Sequence, residues 1–401
     1  MRITQIIETP VRLRGEVANA LVDFSRHTVS LVAVVSDQIR DGKPVTGVAF
    51  NSIGRFAQSG ILADRMIPRV LRASPESLLD DAGRIDPARV LCCALADEKP
   101  GGHGDRAGAA AALELACWDL NAKLADEPAY RTIAEYFGRE LGGDPVNTAV
   151  PVYAAGGYYY PGSDRADSTA ALDRLRSEIR GYLDLGYDAV KMKIGGTSTS
   201  EDLARIEAVI DIVGSGSRVA VDANGRFDEA GAVQWAQALN PYDLRWYEEP
   251  GDPLDFALNA AVIEAYDGAI ATGENLFSQR DATNLVRYAG MRPGIDIFQM
   301  DAGLSYGLTE YVRMIETLEQ QGFDRRFAFP HGGHLINLHI VVALGLGGCE
   351  SYPGVFAPFG GYAPGCVLTE GTIAPTDAPG FGLEEKPDLA AVIADLVGMS
   401  R

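Results

Sequence analysis

From about residue 147 the chain repeats one pattern. A short apolar run ends in a residue that is costly to bury unpaired, and an amphipathic segment follows. The runs are TAVPVYAAGG (148–157), DAVKMKIG (188–195), RVAVDANG (218–225), LRWYEEP (244–250), AIATGEN (269–275), GIDIFQMD (294–301), RFAFPHGG (326–333) and LGGCESYP (346–353). From Lys193, the residues Asp222, Glu248, Glu274, Asp301, His331 and Glu350 follow at intervals of 29, 26, 26, 27, 30 and 19. Most of these intervals equal one strand plus one helix. Between the first two runs, Leu172, Leu175, Ile179, Tyr182 and Leu183 share a helical face, and Gly186 stops the helix. Eight strands with helical crossovers predict a parallel barrel, whose catalytic groups gather at the C-terminal strand ends.

The segment before the repeats reads differently. RITQIIETPVRL (2–13), VSLVAVVSD (29–37) and TGVAFNS (46–52) read as strands, and ILADRMIPRVLRA (61–73) and DPARVLCCALADE (86–98) as helices. AGAAAALELACWDLNAKL (107–124) is a long Ala-rich helix, and DEKPGGHGDR (97–106) reads as a mobile loop. Strands followed by helices predict an α+β capping domain over 1–125, then the barrel over 126–355. The Gly- and Pro-rich remainder, 356–401, is expected to return to the cap.

Composition narrows the function. A chain of 401 residues that is 47% hydrophobic has material for both domains. A net charge of −20 disfavours nucleic acid and anionic membranes as partners. It also repels an anionic substrate, so a site for one must create its own positive potential. No run approaches a bilayer span, and the first residues lack a secretory h-region, so the expected location is the cytoplasm. Five cysteines without CxxC spacing are expected to be buried free thiols.

Asp222, Glu248 and Glu274 form an all-oxygen triad on three consecutive strands. Three carboxylates repel one another unless a cation joins them, and oxygen ligation favours Mg²⁺ over zinc. The same residues could instead be rim carboxylates paired with nearby arginines or lysines. Asn224, Glu249 and Asn275 read as supporting groups. Lys191 and Lys193 lie two apart and face one side of their strand, where each ammonium would lower the other's pKa and favour a neutral amine base. Alone, Lys-x-Lys reads as a solvated edge; beside the triad it reads as catalytic. His331 ends its run, and Asp301 on the preceding one could orient its imidazole.

The ordered set VKMKIGG (190–196), VDANGRF (221–227), WYEEP (246–250), ATGEN (271–275), QMD (299–301), FPHGGH (329–334) and GGCESYP (347–353) resembles the enolase superfamily, in its mandelate racemase branch. The N-terminal domain and the tail VLTEGTIAPTDAPGFGLE (367–384) resemble it too. Within that branch EKPGGHG (98–104), YAAGGYYYPG (153–162), ATGENLFS (271–278), GLSYGL (303–308) and GLGGCESYP (345–353) look most like the tartrate dehydratases.

The resemblance implies a modified (β/α)₇β barrel under an α+β cap. It implies Mg²⁺ held by Asp222, Glu248 and Glu274. It implies Lys193 as the base on one substrate face, Lys191 beside the carboxylate, and an Asp301–His331 dyad on the other face. Glu350 matches the position that hydrogen-bonds the developing enediolate and would donate if protonated. The implied activity is a hydro-lyase that removes the proton α to a carboxylate and expels the β-hydroxyl, which for D-tartrate yields oxaloacetate. A racemase or epimerase of hydroxy acids would use the same groups, and a non-catalytic carboxylate-binding protein is the rival of another class. Asn51, Lys99, Tyr160 and Asn224 are the expected substrate contacts, the acid sugar is the expected small-molecule partner, and a homo-oligomer is the expected assembly.

Overall fold

The computed structural model describes residues 1–139, 148–160 and 168–398. Its first strands, β1 (Ile3–Arg12), β2 (Thr28–Arg40) and β3 (Lys43–Phe50), form an antiparallel sheet in that order. Asp41 and Gly42 both take positive φ, 52° and 74°, which suits a two-residue hairpin turn between β2 and β3. The helix Asp105–Ala125 packs across β3, and Gly47 permits the approach: a Cβ there would meet the Ala116 carbonyl at 2.1 Å.

Six parallel strands follow: β4 (Val150–Gly156), β5 (Val190–Lys193), β6 (Val219–Asp222), β7 (Trp246–Glu248), β8 (Ile270–Thr272) and β9 (Ile297–Phe298). The seventh run keeps its place without forming a regular strand. Ala328 bridges to Phe298, Phe329 N–H donates to the Phe298 carbonyl at 2.8 Å, and Gly347 N–H donates to the Ala328 carbonyl at 2.9 Å. Pro330 lacks an N–H, so the run cannot ladder regularly. Strand β10 (Cys349–Ser351) then pairs in parallel with β4 and closes the barrel. Among the described residues seven helices connect the eight staves, so the fold is a (β/α)₇β barrel with an α+β cap.

Side chains of alternate residues fill the barrel axis. Tyr153, Ala189, Ala220, Trp246, Ala271, Ile297 and Phe329 form one apolar layer. Two residues further along their strands stand Lys191, Asp222, Glu248 and Gln299, so the period of two that builds the layer also stacks the polar groups above it. Register fixes their level: Lys193 pairs with Asp222 on the next strand, and Asp222 with Glu248 on the one after.

The hairpin of β11 (Leu368–Thr369) and β12 (Thr372–Ile373) adds antiparallel to β4. The chain then runs to the first domain, where Phe381 N–H donates to Asp119 at 2.7 Å and Glu384 pairs with Lys123 at 2.5 Å. In the loop after Asp97, Arg106 donates to the Lys99 and Gly101 carbonyls, and Glu98 faces Arg65, Arg69 and Arg106. Cys117 and Cys349 are buried thiols, whereas Cys92 is exposed. No helix among the described residues is long and apolar enough to cross a membrane.

Candidate active site

The C-terminal strand ends open into a cavity whose walls come from both domains. Phe24, Ile53 and Arg55 enter from the cap; Lys193, Asn224, Glu274, His331 and Tyr352 enter from the barrel.

The buried polar centre is built from ion pairs. Lys191 Nζ lies 2.6 Å from Glu248, 2.8 Å from Glu350 and 3.4 Å from Asp222. Lys193 Nζ lies 2.5 Å from Asp222. Glu248 Oε2 accepts from Trp246 Nε1 at 2.9 Å and from Gln299 Nε2 at 2.8 Å. Burial alone would discharge Lys191, but Glu248 and Glu350 outweigh it and hold its pKa well above the ordinary lysine value. For Lys191 this runs against the expectation of a pKa lowered by its neighbouring ammonium. Burial and the nearby Asp222 push Glu248 up to about 8. Burial works against the Asp222 charge too, yet Lys193 and Lys191 hold its pKa below the ordinary value.

Glu350 corrects a second expectation. Its Oε2 accepts the Gly332 N–H at 2.8 Å and its Oε1 faces Lys191. Burial opposes its charge, but Lys191 and His331 draw its pKa below the ordinary glutamate value, so it stands as a carboxylate that accepts. Gly332 is required there: φ is +98°, and a Cβ would meet Ser52 Oγ at 2.6 Å.

His331 is buried at the far wall. Its Nδ1 is 3.4 Å from Asp301, and its Nε2 is 3.1 Å from the Tyr352 hydroxyl and 3.7 Å from Glu274. Burial disfavours the imidazolium, but Glu274 and Asp301 overcome it and raise its pKa to about 9. Asp301 is held in turn by Gly303 N–H at 2.7 Å.

Asp222, Glu248 and Glu274 do not stand as a ready cage: among the described residues no three His, Cys, Asp or Glu side chains are grouped to hold a metal. The lysines occupy Asp222 and Glu248 instead. The donor chemistry still fits a hard cation. The three are all-oxygen donors, Glu248 and Glu249 are driven toward protonation by burial and neighbouring carboxylates, and Asn224 Oδ1 is buried without a partner among the described residues.

The expected substrate contacts divide. Asn224 lines the cavity. Asn51 does not; it is fully buried and spent on Ser30 N–H at 2.7 Å and the Ser52 carbonyl at 3.3 Å, where it fixes the end of the sheet. Lys99 is exposed and outside the cavity wall. Tyr160 faces a separate cleft beside the helix Ser168–Asp184, under Arg174 at 4.7 Å. Its neighbour Tyr158 is the one in the cavity, with Lys193 Nζ 5.5 Å from its ring. Pro161 and Gly162 of the same motif lie outside the described residues. Sequence reasoning missed Arg55, Tyr158 and Tyr352; the last two sit within quoted motifs, but nothing in the sequence says which tyrosine of a triple points inward.

Lys193 and His331 thus face one another across a capped barrel cavity, above buried carboxylates and Lys191. The profile of the family described as enolase C-terminal domain-like matches residues 174–389, and the chain belongs to that family. A 3,6-anhydro-alpha-L-galactonate cycloisomerase from Streptomyces coelicolor is 28% identical over 94% of this chain and 93% of its own. The L-talarate/galactarate dehydratase of Salmonella typhimurium is 26% identical over 78% of this chain and 71% of its own. The fold matches a racemase from Streptomyces coelicolor A3(2) with bound magnesium, at TM-score 0.71 and 23% identity, covering 94% of this chain and 95% of that one. It also matches the L-talarate dehydratase from Polaromonas sp. JS666 complexed with Mg and L-glucarate, at TM-score 0.74 and 22% identity, covering 95% and 94%.

Proposed function

We propose that this protein is a Mg²⁺-dependent acid-sugar dehydratase, and that its substrate is D-tartrate, converted to oxaloacetate. The observation that carries the reading is that Lys193 and His331 line one cavity from different staves, each beside a buried aspartate. Dehydration is supported by the relatives that include an arabinonate dehydratase, a D-gluconate dehydratase and an L-galactonate dehydratase, beside which stand a hydrophobic dipeptide epimerase and an N-succinyl-L-Arg/Lys racemase. Tartrate rests on the likeness of the motifs at 98–104, 153–162 and 303–308 to the dehydratases of that acid.

Asp222, Glu248 and Glu274 would hold the metal ion, which when bound supplies Lewis-acid stabilisation of the substrate carboxylate. The side chains do the rest. Lys191 places a positive charge where the carboxylate gains charge as the α-proton leaves. Lys193 removes the proton from C2. His331, as imidazolium held by Asp301, protonates the departing hydroxyl of C3, which leaves as water. The enol then takes a proton at C3, loses the proton on its C2 oxygen and becomes the keto acid.

The test is a panel of acid sugars incubated in deuterated water. Keto-acid formation with D-tartrate preferred supports the reading in full. A keto acid from another acid sugar alone retains the dehydratase and rejects tartrate. Deuterated substrate without keto acid identifies a racemase instead.

A further inference from the structure

The cavity is lined by three cationic side chains, and two of them are already neutralised. Lys193 is against Asp222 at 2.5 Å, and His331 faces Asp301 and Glu274 at 3.4 and 3.7 Å. The third, Arg55 from the cap, has no carboxylate within ion-pair distance among the described residues. Its Nη2 donates to the neutral Asn275 Oδ1 at 2.6 Å, and its guanidinium lies 5.1 Å from the Phe277 ring centroid. Nε and Nη1 have no hydrogen-bond partner among the described residues. The amide and the ring hold the guanidinium still without discharging it. In a chain of net charge −20, a fixed and unpaired arginine in the wall of a half-buried cavity is arranged to meet an anion from outside.

We infer that Arg55 binds a second carboxylate of the substrate, so that the enzyme selects dicarboxylic acid sugars over monocarboxylic ones. The inference rests on the proposed dehydratase reading, which puts the reacting carboxylate at Lys191. That leaves Arg55 for the far end of the molecule. A guanidinium offers a carboxylate two parallel N–H donors, whereas the hydroxymethyl of a monocarboxylic analogue offers it no charge. The cap thereby sets which acids are accepted, while the barrel sets what is done to them.

The matched pair is D-tartrate and threonate, which differ in having a carboxylate or a hydroxymethyl group at C4. The ratio of their kcat/KM values should fall by about 30-fold or more in Arg55→Met, the size expected when a charge-assisted pair loses one partner. Arg55→Lys should recover part of that ratio, because charge remains but the fork is lost. Equal losses on both acids would make Arg55 a structural residue and overturn the inference. If neither acid is turned over, calorimetry of the magnesium-loaded wild type and Arg55→Met with succinate and butyrate separates the two readings. Succinate binding weakened about 30-fold by the substitution, with butyrate unaffected, supports Arg55 even though the dehydratase reading fails. Succinate affinity that is the same in both proteins overturns it.

Discussion

Glu114, on the long helix of the cap, caps the barrel helix that contains Thr309. Its carboxylate accepts the backbone N–H groups of Leu308 and Thr309 at 2.9 and 3.0 Å and the Thr309 hydroxyl at 2.6 Å. The helices starting at Thr199, Glu229, Phe256, Gln279 and Leu335 take their caps from their own preceding residue, Ser198, Asp228, Asp255, Ser278 and His334. The helix Leu308–Gln320 follows Gly307 and has no side-chain cap of its own. The missing partner comes from the other domain, next to the loop that carries Asp301. Glu114→Ala should therefore loosen cap and barrel together. It leaves buried donors unsatisfied, so a loss of about 3 kcal/mol or more is expected, read as a lower melting temperature. Thr309→Val, which removes one donor, should cost clearly less. Equal shifts would refute the capping role.

Lys193 and His331 can be separated by their effects on two half-reactions. Lys193→Ala should stop both α-proton exchange and dehydration. His331→Asn should lower dehydration by about 10²-fold or more while sparing exchange to a greater degree, because Lys193, Lys191 and the metal ligands remain. Mass spectrometry of substrate recovered from deuterated water reads the exchange. Exchange persisting in the Lys193 variant would place the base on the other wall.

Removing divalent metal should abolish turnover, and adding Mg²⁺ should restore it. Because Asp222 and Glu248 repel one another inside the barrel, the ion should also raise the melting temperature of the resting protein. Glu248→Gln should lose both effects. Full activity in the presence of chelator would rule the metal out.

Acid should destabilise the protein through two histidines outside the chemistry. Burial holds His334 down at about 4 and His339 at about 3, each in a neutral form that accepts a backbone N–H. As pH falls below 6.5 the unfolded chain binds protons that the folded chain refuses. Stability attributable to His334 is thus intact above pH 6.5 and lost as pH drops toward 4, on the order of 3 kcal/mol in all. His334→Asn keeps a capping oxygen and removes the titration, so its stability should depend less on pH across that window. An unchanged slope in urea titrations at pH 4.5 and 7 would contradict the assignment.

Much of the barrel could be read directly, because burial on one face leaves a period in the sequence. Lys191 and Lys193, then Asp222 and Glu248, recur at one strand end, and register puts Lys193, Asp222 and Glu248 at one level. The charge states were not readable in the same way. Each lysine was expected to lower the other's pKa, but Lys191 sits between Glu248 and Glu350, and opposite charges at under 3 Å outweigh a like charge on the same strand. The cap was the least legible part. Asn51 and Lys99 carry suitable groups for a substrate, yet one is consumed by backbone and the other faces solvent, while Arg55, four residues from Asn51, reaches the cavity.

The sequence by itself determined the number of staves, the residue at each strand end and the family, since each follows from local periodicity and ordered motifs. Only the tertiary structure decided which carboxylate each lysine meets, which tyrosine of 158–160 turns inward, and which cap residue completes the wall. Those outcomes depend on distances between segments far apart in the chain, as between Arg55 and Asn275, or Glu114 and Thr309. No local pattern encodes such a distance; it is set when the cap packs on the barrel and each buried polar group must find a partner.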